Sequence, residues 1–330
     1  MWGKKQYNLF KNNMESNNQV EVSGHPRFEL LKPQYHYLYE QPIRKVNNRF
    51  KNFILINTNM AFGNNIKGDE FVIENYGNRF KNIHQIIDSD KHKLNAYISL
   101  VLELENKLDK KIILRPHPEE DHDYYINAFK DKKNIHVLYE ESVIPWIMAS
   151  DVMIHPDCTT AIESLLLDKI PISFIPDGLS REFLTELPLK ASICFKSNTE
   201  IIHYLKSGDY IHEKISIGQT KLLNDYFHNS TNSIENVINS IQSISDNINT
   251  INRSQINLFD NIYYFLSSLK SFLLKKENPK LFLQKIFGFN FKSIKYILGQ
   301  IELNSHPQSE IKFKVITDKL FSFENNLSRK

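Results

Sequence analysis

The sequence has little cysteine. Its 330 residues include two cysteines, Cys158 and Cys194, of which the first falls in a polar turn and the second in an apolar segment. Small secreted domains that depend on disulfides need more cysteines than this, so no disulfide framework is implied. The composition fits a reducing compartment, and we expect a cytoplasmic protein.

The chain also lacks an excess of charge and a long apolar run. It has 41 Lys and Arg residues against 38 Asp and Glu, a formal net charge of +3, which gives no strong field for nucleic acid or membrane. No segment approaches the roughly 18 consecutive apolar residues of a membrane-spanning helix, and the start (MWGKKQ) lacks the apolar core of a signal peptide. We therefore expect no nucleic-acid partner and no transmembrane segment, in a protein that is soluble or peripheral at the inner face of a membrane.

What the sequence does have is material for a core and an alternation of strands with helices. Apolar residues make up 41% of the chain, enough to fill a core at this length. Helical patterns such as residues 91–108 separate short apolar strands at 53–57, 112–114, 135–138, 152–154, 170–175 and 193–195. Such an order with short connections predicts a parallel sheet covered by helices on both faces. The predicted fold class is therefore α/β and Rossmann-like.

Composition divides the chain into three predicted regions. Residues 1–52 are polar and aromatic, and we interpret them as a connector. Residues 53–210 would form the Rossmann-like domain. Beyond Tyr210 glycine and proline become rare, and isoleucines recur from Ile234 to Ile251 at a mean spacing of roughly 3.5 residues, which predicts an amphipathic helix. We expect residues 211–330 to be a helical C-terminal region that packs on its own chain, with a dimeric coiled coil as the alternative.

The stretch from residue 151 to 176 predicts a strand, a helix and a second strand. Where the first strand ends and the helix begins, the side chains are polar: His155, Asp157, Cys158, Thr159 and Thr160. Unpaired backbone N–H groups and hydroxyls at a helix start, outside the carboxyl end of a strand, suit a phosphate group. The alternative is that Thr159 and Thr160 only cap the helix.

The end of a second predicted strand carries further polar groups, at the same carboxyl edge of the predicted sheet. The strand at 112–114 opens into Arg115, Pro116, His117 and Pro118, so that two prolines fix a turn carrying a cation and an imidazole. Phosphate is the simplest partner for both groups, and the second His-Pro pair at His155 strengthens the interpretation. For Arg115 a structural ion pair is an equal alternative.

Two further segments border these strand ends. The strand at 53–57 leads into Asn57, Thr58 and Asn59 and then a loop with Gly63, which suits a backbone that comes close to a ligand or a neighbouring domain; an ordinary βα loop is the alternative. The acidic residues between 119 and 123 are interpreted as a charged helix start rather than a metal site. No metal and no cofactor are predicted.

Several of these segments together, in order along the chain, resemble the bacterial surface carbohydrate biosynthesis proteins. These are glycosyltransferases of capsule and lipopolysaccharide assembly with two Rossmann-like domains (GT-B). The matching segments are Trp2-Gly3, Gly24-His25-Pro26-Arg27-Phe28, residues 53–59, Arg115-Pro116-His117-Pro118, and His155 to Thr160 with Glu163. More remotely, the His-Pro element and the hydroxyl pair are similar to those of Kdo transferases and GT-B sialyltransferases, and the run from Cys158 to Glu163 falls where UDP-GlcNAc 2-epimerases carry Ser-Gly-Gly and a glutamate.

The resemblance implies a role for each matched residue. His117, Thr159 and Thr160 would bind the phosphate of a nucleotide-sugar donor, plausibly a CMP-sugar, and Glu163 would accept hydrogen bonds from the ribose hydroxyls. Arg115 would neutralise charge or fix the turn. For Glu163, a helix surface carboxylate is the alternative. The catalytic base is not identified.

The chain departs from this family in one respect. In the relatives, a whole acceptor-side Rossmann-like domain precedes the Trp-Gly and Gly-His-Pro-Arg elements, and here those elements stand near Met1. The expectation is the C-terminal, donor-binding half of a GT-B enzyme, with a glycan or lipid-linked acceptor and a separate subunit that could bring the other domain. The alternatives are a UDP-sugar epimerase-like enzyme and a non-catalytic partner of a transferase.

Overall fold

The computed structural model describes residues 1–11, 20–140, 142–228, 232–247, 291–304, 309–317 and 320–327. The chain forms two compact units, Met1–Ile244 and Ser245–Lys330. Among the described residues, no helix is long and apolar enough to cross a membrane.

The first unit is built on a six-stranded parallel sheet. Its strands are β1 (Phe53–Asn57), β2 (Lys111–Arg115), β3 (Ile135–Val137), β4 (Val152–His155), β5 (Ile172–Phe174) and β6 (Ile193–Phe195), in the spatial order β3-β2-β1-β4-β5-β6. The order reverses between β1 and β4, where Ile54 pairs with Val152 and Ile56 with Ile154. Such a switch point opens a crevice at the carboxyl ends of the strands. The predicted α/β class with a Rossmann-like parallel sheet is confirmed.

Helices connect the strands and cover the sheet. Up to residue 247 they are α1 (Lys4–Phe10), α2 (Pro26–Glu29), α3 (Glu40–Arg49), α4 (Gly68–Tyr76), α5 (Ile83–Lys107), α6 (His122–Ala128), α7 (Ile144–Ala149), α8 (Thr160–Leu166), α9 (Glu186–Lys190), α10 (Asn198–Ser207), α11 (Ile217–Phe227) and α12 (Ser233–Asn247). Capping boxes start α10 at Ser197 and α11 at Ser216, which satisfies backbone N–H groups that the helix itself leaves unpaired.

Successive residues of strand β1 pack alternately in two hydrophobic cores, one on each face of the sheet. Ile54 and Ile56 of β1 pack in the cluster that contains the α5 residues Tyr97, Leu100 and Leu104. The intervening residues Phe53 and Leu55 pack on the opposite face. Their cluster contains Trp146 of α7 and also Leu31, Val46 and Phe50. This is the period-two alternation of a strand that is buried on both sides. Residues before β1, predicted to be a connector, thus contribute to the second core.

The second unit departs from the helical prediction for residues 211–330. It contains a helix, α13 (Phe291–Asn304), and an antiparallel hairpin of β7 (Ser309–Thr317) and β8 (Leu320–Leu327). In β7 the sequence alternates apolar and polar residues from Ile311 to Val315, a period-two pattern typical of a strand. The last isoleucines of the predicted repeat, Ile248 and Ile251, lie outside the described residues, as do residues 252–290 of the predicted helical region.

The loop after β1 rests directly on α5 at Gly63. A Cβ atom on Gly63 would lie 2.5 Å from the Lys91 backbone nitrogen and 2.7 Å from the Asp90 carbonyl carbon. Next to it, the Phe62 N–H donates a hydrogen bond of 3.1 Å to the Asp90 carboxylate. Glycine is needed here because the two backbones touch. The partner that the loop approaches closely is α5 of its own domain.

We expect Gly63→Ala to lower the free energy of unfolding by about 1–3 kcal/mol, because the added methyl group must push the loop away from α5. Urea denaturation measures this. The matched control is Gly218→Ala within α11, where the new Cβ would meet nothing closer than Ser216 Oγ at 3.7 Å and helix propensity should raise stability by up to about 1 kcal/mol. Equal effects of the two substitutions would contradict the packing argument.

Candidate functional site

A cavity of 470 Å³ lies at the carboxyl edge of the sheet, beside the switch point. Its walls come from the loops after β1, β2, β4 and β5 and from the segment that contains α4 and α5. Aromatic and ionisable side chains share the lining with a few others: Asn59, Ala61, Phe62, Tyr76, Phe80, Ile86, Asp90, Lys93, His117, Glu119, Asp157, Glu182, Phe183, Leu184 and Thr185. A concave site with convergent polar groups at this place in an α/β sheet is the expected position of a ligand.

A buried lysine lies in the cavity wall between two aspartates. Lys93 Nζ is 2.8 Å from Asp90 Oδ1 and 3.4 Å from Asp157 Oδ1, and all three side chains are less than one tenth exposed. Burial alone would lower the pKa of Lys93, but the two carboxylates together raise it. Burial raises the pKa of Asp90, against the opposing effect of Lys93. The group therefore holds its charges in the interior by pairing them.

The same three residues join the loops that surround the cavity. The remaining oxygen of Asp157 accepts a hydrogen bond of 2.8 Å from the Thr185 N–H, in the loop after β5. Asp90 accepts the Phe62 N–H from the loop after β1. Helix α5, the turn after β4 and two further loops are thus connected through one cluster of side chains.

Glu120 forms a second buried cluster behind the cavity. Its carboxylate accepts hydrogen bonds from Thr58 Oγ1 at 2.8 Å, Met60 N at 3.0 Å, His117 N at 3.2 Å and the Tyr125 hydroxyl. Burial raises the pKa of Glu120 to about 7, against the lowering effect of these hydrogen bonds. This carboxylate joins the loop after β1 to the loop after β2, in addition to the backbone hydrogen bonds between the two loops.

The interpretation of the acidic stretch as a charged helix start fits Asp121 and Asp123, which stand at the beginning of α6. Asp121 is the N-cap of α6 and accepts a hydrogen bond from Asp123 N at 3.2 Å. Glu120, one residue earlier, is completely buried and belongs to the interior cluster instead. Sequence position alone does not distinguish a solvated carboxylate from a buried one.

His117 lines the cavity at the end of β2, together with Asn59 from the neighbouring loop. Its Nδ1 atom accepts a hydrogen bond of 3.2 Å from Glu119 N. Because Nδ1 acts as the acceptor, the neutral ring carries its proton on Nε2. His117 therefore has a fixed tautomer and, through the Glu120 cluster, a fixed backbone.

Helix α8 begins next to the end of β1. Asn57 Nδ2 donates to Thr160 Oγ1 at 3.4 Å. Thr159 is the N-cap residue, but its side chain makes no capping hydrogen bond, and it is exposed. Cys158 is buried, which raises the pKa of its thiol. These three residues of the predicted phosphate turn are adjacent to the cavity-lining Asp157 without themselves lining the cavity.

His155 lies in the interior, away from the cavity. Its Nδ1 accepts a hydrogen bond from Cys158 N at 3.2 Å, and its Nε2 is 2.8 Å from Ser192 Oγ. Burial lowers the pKa of this histidine to about 4, so the ring is neutral at physiological pH. Both ring nitrogens are used to hold the turn after β4 against the segment before β6.

Arg115 and Glu163 each have a protein partner. The Arg115 guanidinium donates to the Glu140 carbonyl at 2.6 Å and lies 5.2 Å from the centre of the Trp146 ring. Glu163 forms an ion pair with Arg27 of α2, within the Gly24 to Phe28 segment of the resemblance. Burial raises the pKa of Glu163 against the opposing charge of Arg27. Two of the segments that carry the family resemblance, far apart in the sequence, are therefore in direct contact.

Sequence reasoning missed Lys93, Asp90 and Glu120 as parts of the site, and it included Asp157 only among the polar residues of the turn after β4. A signal for the first two exists: they stand on the stripe of α5 that also carries the buried Ile87, Leu94 and Tyr97. Charged residues at apolar positions of a helix indicate a buried ionic cluster, because an isolated charge there is too costly.

Comparison with known proteins finds similarity of fold only. No protein family and no curated protein matches the sequence. Among solved structures, the chain is similar to the UDP-GlcNAc 2-epimerase of Methanocaldococcus jannaschii, at 15% identity over 72% of this chain and 58% of that chain, with a TM-score of 0.44. It is also similar to a variant of the wall teichoic acid polymerase TagF, at 17% identity over 76% of this chain and 58% of that chain, with a TM-score of 0.47.

The chain spans less than two thirds of the length of these structures. At this level of identity the likeness assigns neither an activity nor a residue role. The function is therefore argued from the cavity and its side chains.

We expect Glu120→Gln to lower the free energy of unfolding by about 1–3 kcal/mol, because the amide nitrogen would face N–H and O–H donors and leave some of them without an acceptor. Urea denaturation at pH 7 measures the effect. The control Glu40→Gln removes a carboxylate whose side chain is 61% exposed and should change stability by less than about 0.5 kcal/mol. A loss no larger than the control's would show that the cluster does not stabilise the fold.

The buried neutral His155 predicts a loss of stability in acid. The unfolded chain binds a proton on this histidine near pH 6.5 and the folded chain only near pH 4, so the free energy of unfolding should fall as the pH drops through this interval. At about 1.4 kcal/mol per pH unit the contribution is about 3 kcal/mol. Denaturant titrations from pH 7 to 4 should show a smaller acid loss in His155→Gln than in the unchanged protein, whereas the exposed His203→Gln should keep the full loss.

Proposed function

We propose that the chain binds a nucleotide-activated sugar at the carboxyl edge of its sheet and serves glycosyl transfer. The observation that carries this proposal is the cavity at the β1/β4 switch point, into which His117 and Asn59 converge beside the start of α8. In open α/β sheets this is where nucleotides bind. The wall combines aromatic and polar groups, as sites for organic ligands do.

The chemistry of transfer fits the residues around the cavity. A sugar leaves its nucleotide as negative charge grows on the departing phosphate, and fixed donors aimed at that charge lower the barrier. His117 offers an Nε2–H donor in a fixed tautomer, and Thr159 and Thr160 stand next to the backbone N–H groups at the start of α8. We assign the donor phosphate to these three residues.

The wider role follows the resemblance of the sequence. We propose a step in bacterial surface polysaccharide or lipopolysaccharide synthesis at the cytoplasmic face of the membrane, with a glycan or lipid-linked acceptor. A separate subunit supplying an acceptor-side domain is part of the same proposal. A CMP-sugar is the donor that the remote relatives suggest, and it is one of the possibilities that the experiment below separates.

A second candidate is an epimerase-like reaction on a nucleotide sugar. The observation that favours it is the presence of Glu119 and Glu182 in the cavity wall, in the loops after β2 and β5. Epimerisation needs acid and base groups on different sides of the sugar ring, and two carboxylates in separate loops meet this need. The two reactions differ in their products: transfer releases free nucleotide only when an acceptor is added, whereas epimerisation changes the sugar without an acceptor.

The experiment is a calorimetric titration with CMP, CDP, UDP and GDP. We expect the protein to prefer one base. His117→Ala should weaken the binding of the preferred nucleotide by about 1–3 kcal/mol, the usual effect of losing a hydrogen bond to a charged group. The control His84→Ala replaces an exposed histidine of α5 outside the cavity and should leave the affinity unchanged. Absence of binding by all four nucleotides, or equal weakening by both substitutions, would refute the proposed site.

A further inference from the structure

The turn that carries His117 is closed by hydrogen bonds within its own loop. The Glu120 N–H donates to the His117 carbonyl at 3.0 Å, and the Glu120 carboxylate accepts the His117 N–H at 3.2 Å. Both contacts join residues that are three positions apart, so they fix the shape of the turn but not its place relative to the strands. The place of the imidazole therefore depends on contacts that the turn makes with other elements.

Thr58, at the carboxyl end of the central strand β1, makes such a contact. Its side-chain oxygen accepts a hydrogen bond of 3.3 Å from the His117 N–H and donates to the Glu120 carboxylate at 2.8 Å. The Thr58 N–H donates to the Arg115 carbonyl at 3.2 Å, which continues the pairing of β1 with β2. One side chain thus connects the sheet to both ends of the turn.

The chemistry of threonine makes this hydroxyl a rigid support. Thr58 is 2% exposed, and the rotamers of a β-branched side chain are restricted, so the hydroxyl has a fixed direction. A hydroxyl accepts and donates at the same time, as a position between an N–H and a carboxylate requires. The other described hydrogen bonds between the loop after β1 and this turn reach residues 119–121, beyond His117.

The residue before Thr58 contacts the other half of the proposed phosphate site. Asn57 Nδ2 lies 3.4 Å from Thr160 Oγ1 at the start of α8, and β1 pairs with β4 as well as with β2. The end of β1 therefore stands between the His117 turn and α8. A shift of the turn away from Thr58 would change the separation between the imidazole and Thr160.

We infer that Thr58 is a positioning residue of the proposed donor site, whose hydroxyl fixes the turn that holds the His117 imidazole beside α8. The inference rests on the proposed function and deepens it, because it names a residue that acts on the donor through His117. Thr58 is absent from the described lining of the cavity, so its effect on binding has to pass through another side chain.

The first test compares Thr58→Val with Thr58→Ser in calorimetric titrations with the nucleotide that the unchanged protein prefers. Thr58→Val keeps the shape and removes the hydroxyl, and we expect it to bind at least about 5-fold more weakly, as for the loss of a buried hydrogen bond. Thr58→Ser keeps the hydroxyl and should bind within about 2-fold of the unchanged protein. The control Ser150→Ala removes another buried hydroxyl, which donates to the Ile147 carbonyl at 3.0 Å before β4, and should leave the affinity unchanged.

A second measurement separates positioning from a general loss of stability. Nitrogen-15 NMR of histidine-labelled protein at pH 8, above the range in which histidines ordinarily titrate, reports which ring nitrogen carries the proton. The unchanged protein should show His117 protonated at Nε2, because Nδ1 accepts the Glu119 N–H at 3.2 Å; the signal is assigned by its loss in His117→Ala. Thr58→Val should show a mixture of both tautomers, and Thr58→Ser and Ser150→Ala a single one.

Thr58→Cys replaces Thr58→Val if the valine variant does not fold. A thiol is only a weak donor and acceptor, so the same loss of affinity and the same mixture of tautomers are expected.

The outcomes separate this inference from the proposed function. If a nucleotide binds and Thr58→Val binds it as tightly as the unchanged protein, the inference fails and the proposed function stands. A loss of affinity with an unchanged His117 tautomer, or an equal loss in Ser150→Ala, also overturns the inference, because Thr58 would then act through stability alone. If no nucleotide binds, the proposed function fails and the tautomer decides: a single His117 tautomer in Thr58→Val overturns the positioning role.

Discussion

The pairing of Lys93 with Asp90 and Asp157 is the interaction on which the carboxyl edge of the sheet depends. Three charges lie in the interior there, and each would be too costly alone. Removing one partner from such a cluster typically costs about 3–5 kcal/mol, since it leaves a buried charge uncompensated. Because Asp90 also binds Phe62 N and Asp157 binds Thr185 N, the geometry of two loops follows from the charge balance of three side chains.

The Glu120 cluster applies the same constraint behind the cavity. A fully buried carboxylate needs donors, and four groups from three segments supply them. One of these donors is the backbone of His117. The imidazole that faces the cavity is thus fixed by a residue that never reaches the ligand. A preorganised site of this kind pays no reorganisation cost when charge develops in a reaction.

The parts of the structure that could be predicted are those that local pattern determines. Buried strands read as apolar runs, so the sequence predicts β1, β2 and β4, and their alternation with helices predicts the parallel sheet. The strand order, and with it the switch point between β1 and β4, is known only from the structure. The C-terminal hairpin was missed because the isoleucine repeat before it suggested helix throughout, although the alternation from Ile311 to Val315 was present. Of the residues predicted at the ends of β2 and β4, His117 lines the cavity, whereas Cys158, Thr159 and Thr160 lie next to it.

Lys93 and Glu120 could not be found in that way. Each has a partner that lies far away along the chain, 64 residues from Lys93 to Asp157 and 62 from Thr58 to Glu120, and only the folded topology brings these pairs together. A charged residue in a sequence is by default a solvated one. Asp90 and Lys93 are recognised as buried charges only when the periodicity of α5 shows that both positions lie on the buried stripe of the helix.

Glu163 illustrates how a predicted role and an observed contact can coexist. Its carboxylate is buried and paired with Arg27 through one oxygen, while the Arg27 side chain is 67% exposed. A carboxylate has about four acceptor positions, so an ion pair through one oxygen leaves acceptor capacity for the proposed contact with ribose hydroxyls. Residues interpreted from the sequence as a connector thus supply the ion-pair partner of an α8 carboxylate, in addition to apolar side chains of the second core.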